Sequence, residues 1–88
     1  MKGYVYILRS LKNSHFYIGS TINMVNRIEK HNKGLVRSTR NTRPYKVELV
    51  KEYSTLTKAK QIEYKIKKLK RREYIEKMIR DKNITMDL

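Results

Sequence analysis

The sequence predicts a small α/β (α+β) domain, a three-stranded antiparallel sheet flanked by helices in the order β-β-α-(α)-β-α-α. Three observations point there. Residues 3–9 and 16–18 are short runs of β-branched and aromatic side chains separated by turn-forming residues. Beyond them, apolar residues recur at helical spacing in blocks separated by a third strand-like run. The chain has 88 residues and no cysteine, which allows one domain with a modest core and neither a disulfide nor a thiolate metal site.

The elements follow in order. Residues 3–9 are too short for a helix and read as a strand; Leu11 to Ser14 read as a turn, and Phe16-Tyr17-Ile18 as the returning strand of a hairpin. If the turn holds an even number of residues, Tyr4, Tyr6, Tyr17 and Gly19 share one sheet face, while Val5, Ile7, Phe16 and Ile18 share the other. The aliphatic set reads as core; the tyrosine set suits a cleft, with Tyr4 the best fitted of the tyrosines to simple packing. Ser20, Thr21 and Asn23 are N-cap candidates for a helix over 22–32, with Ile22, Val25 and Ile28 as its apolar face and Gly34 as its stop. Residues 34–46 read as a loop with room for a short helix, and 47–53 as a third strand. Ser54 or Thr55 caps a long helix whose apolar stripe is Ala59, Ile62, Ile66 and Leu69. A last helical stretch follows through Ile75, Met78 and Ile79. The domain is expected to span 1–82, with 83–88 a frayed tail.

Charge narrows the function. The chain carries 22 Lys and Arg against 8 Asp and Glu, a net +14. Between Lys33 and Lys46 there are five cations and no acid; between Lys58 and Arg72 there are eight, with Glu63 alone against them. An exposed helix face is normally stabilised by alternating charge, and same-sign clusters repel unless a polyanion neutralises them. Nucleic acid is therefore the natural partner. An acidic membrane surface fits less well, because the basic helix interleaves Tyr64 and lacks Trp or Phe anchors. No apolar run approaches the ~18 residues of a membrane span, and the first residues lack the pattern of a signal peptide. A cytoplasmic protein without membrane contact is expected.

Tyr4-Val5-Tyr6 and Tyr17-Ile18-Gly19, the latter followed by Ser20-Thr21, resemble the paired signature of the GIY-YIG nuclease superfamily. Arg27 comes ten residues after Tyr17, and His31 four after that. Glu63, in the helix after the third strand, is similar in placement to the family's metal-binding glutamate. The resemblance covers roughly residues 3–80 and is greatest to small stand-alone bacterial members. The first element departs from the pattern, with Tyr4 for Gly and Val5 for Ile. The helix after Glu63 has no asparagine, and Ser20 stands where some relatives carry a basic group.

The resemblance implies a metal-dependent endonuclease hydrolysing DNA phosphodiester bonds, structure-selective and of the repair or recombination type. The alternative is a non-catalytic nucleic-acid-binding module on the same scaffold. Glu63 would hold a single divalent ion, Mg²⁺ or Mn²⁺, as the metal ligand; the plain competitor is a Glu63 that only screens Lys60 or Lys67. Arg27 would clamp the scissile phosphate with its planar fork. Tyr6 is favoured as the water-activating group and Tyr17 as the phosphate ligand, with the reverse open. A free phenol has a pKa near ~10, so nearby cations are expected to depress it. His31, one turn after Arg27 on the same face, would shuttle a proton or donate a hydrogen bond; His15 has no such placement. Gly19 is expected to let phosphate approach the backbone, and Ser20 to lie beside the anion-favouring N-terminus of the first helix. Lys33, Arg37, Arg40, Arg43, Lys67, Lys68, Lys70 and Arg71 are the expected nucleic-acid contacts, DNA before RNA. No small-molecule cofactor is implied.

Overall fold

The computed structural model of the chain describes residues 1–84. Strands β1 (Gly3–Ser10), β2 (Phe16–Thr21) and β3 (Tyr45–Tyr53) form one antiparallel sheet in the order β2-β1-β3. Helix α1 (Met24–Asn32) follows β2, a 3₁₀ turn (Arg40–Thr42) interrupts the long loop, and α2 (Leu56–Leu69) and α3 (Arg72–Asp81) follow β3. The hairpin register pairs Tyr6 with Gly19 and Leu8 with Tyr17. This register puts Tyr4, Tyr6, Tyr17 and Gly19 on one face, as the alternation predicts.

The two faces carry different cores. Val5, Ile7, Ile18 and Leu49 meet Ala59, Ile62 and Ile66 of α2 and Ile75 and Met78 of α3. Burying one such side chain is worth ~1.5–3 kcal/mol, whereas an exposed ion pair like Arg72–Glu76 contributes only ~0.3–0.5 kcal/mol. The apolar stripe therefore sets how α2 and α3 lie, and their charges take the outside. Thr55 caps α2, accepting a hydrogen bond from the Lys58 N–H, and Lys70 ends it in the left-handed region at φ 51°. Across the sheet, Tyr6, Leu8 and Tyr45 are buried beneath Met24 and Ile28 of α1.

Several expectations change. Helix α1 starts at Met24 with Asn23 as its cap, because Ser20 and Thr21 are still in β2. Its buried face is Met24, Ile28 and His31, whereas Ile22 and Val25 are 46% and 76% exposed. The i, i+4, i+7 phase wins because it brings His31 over the tyrosines. Gly34 does end the helix, at φ 79°. At the other end, Ile84 is buried in the aliphatic core and its carbonyl accepts from Lys51 Nζ at 3.0 Å, so the packed domain extends past residue 82. The rest of the expected tail, 85–88, lies outside the described residues.

Candidate active site on the tyrosine face

Tyr6 anchors the site. It is fully buried, and its ring lies across Gly19 of the neighbouring strand: a Cβ on Gly19 would stand 2.5 Å from Tyr6 Cζ. Gly19 is thus bare because Tyr6 packs over it, and the phenol fills the space expected for a phosphate. The packing role expected of Tyr4 belongs to Tyr6 instead; Tyr4 is half-buried.

Helix α1 supplies two partners one turn apart. Arg27 Nε donates to the Tyr6 hydroxyl at 3.2 Å, and His31 Nε2 lies 2.9 Å from the same oxygen. His31 is itself fully buried and meets the Tyr17 ring edge-on, with centroids 4.9 Å apart. Its other ring nitrogen, Nδ1, is 2.8 Å from the hydroxyl of Thr39, a buried residue of the loop after α1. Beside Arg27 opens a cleft of about 300 Å³ lined by Thr21, Ile22, Asn23, Asn26, Arg27 and Lys30.

These surroundings set the protonation states. Burial, with the Arg27 charge close by, lowers His31 to about 4, so at neutral pH it is a neutral ring with one lone pair. Burial also raises the Tyr6 phenol above its ordinary value, outweighing the opposing pull of Arg27's hydrogen bond and charge. The expected depression of this phenol by cations does not occur, because desolvating a phenolate costs more than one adjacent guanidinium returns. Arg27 is raised, first by its hydrogen bond to Tyr6, and stays charged.

Glu63 lies on the far side of the edge strand. Ser20, whose side chain points to the face opposite Tyr17, donates to Glu63 Oε1 at 2.5 Å, and Lys67 Nζ holds Oε2 at 2.6 Å. The ammonium of Lys67 also lies 6.0 Å from the Tyr17 ring centroid, so it spans the gap between carboxylate and tyrosines. The ion pair weighed as the plain reading of Glu63 is thus present. Among the described residues, no three His, Cys, Asp or Glu side chains gather as a metal cage. A single, partly exposed carboxylate suits a hard ion that keeps most of its waters and shares a phosphate. The donor set fits Mg²⁺ or Mn²⁺ on those terms, with Lys67 displaced.

The expected cations divide between two segments that both touch the site. Lys33, Arg37, Arg40 and Arg43 are exposed on the loop that carries Thr39. Lys67 and Lys68 are on α2, with Lys68 Nζ 4.6 Å from the exposed Tyr64 ring, while Lys70 and Arg71 form the α2–α3 joint and Arg71 pairs with Glu73 at 3.3 Å. His15 is exposed. Thr39 escapes a reading of the residues one at a time: it sits in an aperiodic Ser/Thr/Asn stretch, where nothing local separates it from Ser38 or Thr42.

The GIY-YIG catalytic domain matches residues 2–78. The chain is 39% identical over 71 residues to a UPF0213 protein of Oceanobacillus iheyensis, spanning 80% of this chain and 81% of that one. It is 37% identical over 65 residues to a UPF0213 protein of Pediococcus pentosaceus, spanning 73% and 67%. The solution NMR structure of a UPF0213 protein from Bacillus halodurans superposes with a TM-score of 0.60 at 30% identity, covering 97% of this chain and 89% of the other.

Proposed function

The chain belongs to the GIY-YIG catalytic-domain family, and from that premise we propose that it is a divalent-metal-dependent endonuclease. It hydrolyses DNA phosphodiester bonds and selects substrates by structure, as in repair or recombination, within the cytoplasm. The observation that carries this reading is the convergence of Arg27 and His31 on the buried Tyr6 hydroxyl, with the half-buried Tyr17 ring packed edge-on against His31 and Glu63 joined to this edge through Lys67. Structure selectivity follows from the loop and helix cations, whose phosphate contacts carry no base information.

Each side chain has a part in the mechanism. Arg27 covers the Tyr6 hydroxyl in the free protein and has further N–H donors. As a scissile phosphate enters the cleft, Arg27 turns onto it and neutralises its growing charge. The Tyr6 oxygen is thereby opened to a water. Tyr6 takes a proton from that water while passing its own to His31 Nε2; the water oxygen bonds to phosphorus and the bond to the leaving oxygen breaks. Tyr17, half-buried at the edge of the cluster, donates to a phosphate oxygen. Glu63 would hold the divalent ion, which when bound would supply positive charge to offset the negative charge that builds up on the reacting phosphate.

Purified protein incubated with branched, flapped and duplex DNA and Mg²⁺ tests this. Cleavage of the branched or flapped forms is expected, abolished by EDTA and reduced at least ~10²-fold in Glu63→Ala and Tyr17→Phe. Full activity in either variant removes the assigned site. The engagement of Glu63 by Ser20 and Lys67 favours one rival, a binding module without catalysis. Its signature is salt-sensitive DNA binding with no metal-dependent cutting.

A further inference from the structure

We propose that Thr39 is a positioning residue that sets the tautomer of His31 and thereby aims the Tyr6 hydroxyl hydrogen at His31 Nε2. For its catalytic consequence this rests on the nuclease reading above; its structural content does not.

A chain of hydrogen bonds runs through His31, and its two ends can each act in one way only. At one end Arg27 Nε is a donor, so the Tyr6 oxygen accepts from it at 3.2 Å and keeps its own hydrogen for His31 Nε2 at 2.9 Å. At the other end the Val36 carbonyl is an acceptor, and the Thr39 hydroxyl donates to it at 3.4 Å. With its hydrogen so used, Thr39 Oγ1 accepts from His31 Nδ1–H at 2.8 Å. The ring then has its proton on Nδ1 and a bare lone pair on Nε2. The five groups Arg27, Tyr6, His31, Thr39 and the Val36 carbonyl thus form one chain with a single direction.

His31 and Thr39 are both fully buried, so no bulk water competes for either ring nitrogen. The groups facing His31 come from every neighbouring element: Tyr6 from β1, Tyr17 from β2, Arg27 from its own helix and Tyr45 from β3. None is a carboxylate, so Thr39 is the acceptor that holds the Nδ1 proton. When Tyr6 passes its hydrogen to Nε2, the resulting imidazolium keeps its Nδ1–H bond to Thr39. Tyr6 regains a proton from the attacking water, so the tyrosine ends unchanged and His31 carries the added proton. A ring of the opposite tautomer would donate to Tyr6 and offer no lone pair.

Long-range ¹H–¹⁵N NMR on the full chain, without metal or DNA, reads the tautomer directly. In the wild type and Thr39→Ser, His31 Nδ1 should be protonated and Nε2 bare. In Thr39→Val the proton should move wholly or partly to Nε2. A wild-type ring protonated on Nε2, or a folded Thr39→Val protein with an unchanged ring, overturns the proposal. The wild-type measurement decides the matter even if Thr39→Val fails to fold. With cleavable DNA, Thr39→Val should lower kcat roughly ten- to a hundredfold at unchanged KM, with Thr39→Ser close to wild type. Absence of cleavage in the wild type overturns the nuclease reading alone, because the ring nitrogens report the Thr39 effect separately.

Discussion

A histidine with no solvent access has to be neutral to be tolerated unless a carboxylate pairs with it, and His31 is buried with no such partner among the described residues. Its helical spacing from Arg27 is plain in the chain, but the spacing says nothing of its charge. Folding supplies that through burial. The consequence is a pH dependence of stability with a definite sign. In the folded protein His31 stays neutral down to about 4, whereas an unfolded His takes its proton near 6.5. Between those values the unfolded chain binds more protons, so stability present above pH 6.5 is lost as pH falls, by as much as about 3 kcal/mol near pH 4. Urea titrations from pH 7 to pH 4 should show this decline, and His31→Asn should flatten it. Equal slopes in the two proteins would mean that another group governs the acid limb. The same burial reverses the expectation for Tyr6. Cations near a phenol suggest a low pKa, but how much water the fold removes decides the direction.

Among the elements, the β1–β2 hairpin shows how far local pattern reaches. Alternation alone separates the aliphatic residues from the tyrosines, and the register bears this out. The need for glycine opposite Tyr6 is a cross-strand property, visible only once the two strands are paired. Gly19→Ala would press a methyl into the buried Tyr6 ring, which His31 and Arg27 hold in place. A loss of ~1–3 kcal/mol in denaturant unfolding is expected, with reduced activity from the displaced phenol. Unchanged stability would show that the ring has room to yield. In α1 the reading of the apolar phase fails for a related reason. Ile22, Val25 and Ile28 make a helical stripe by spacing, but only Ile28 packs on the sheet, whose tyrosines take the imidazole of His31 and leave Ile22 and Val25 exposed. In α2 and α3 the stripes hold, because an aliphatic sheet face accepts any aliphatic helix face of suitable phase.

For the molecule as a whole, the net charge of +14 resolves into two basic segments on either side of the tyrosine cluster, one tied to it by Thr39 and the other by Lys67. Each cation on a duplex phosphate contributes about −0.9 to the slope of log K against log salt. Replacing Arg37, Arg40 and Arg43 together by Ala should therefore make that slope shallower by about 2–3. An unchanged slope in DNA binding measured between low and moderate salt, with EDTA present, would take the loop out of the interface. The sequence by itself determined the strand and helix types, the two-faced hairpin, the family and the basic character, because each is written in neighbouring residues or at fixed spacing. Tertiary structure alone decided that Tyr6 is buried over Gly19, that Glu63 answers to Ser20 across the edge strand, and that Thr39 reaches His31. Those contacts join residues from separate elements, and the proton positions they set depend on how completely the packed chain excludes water.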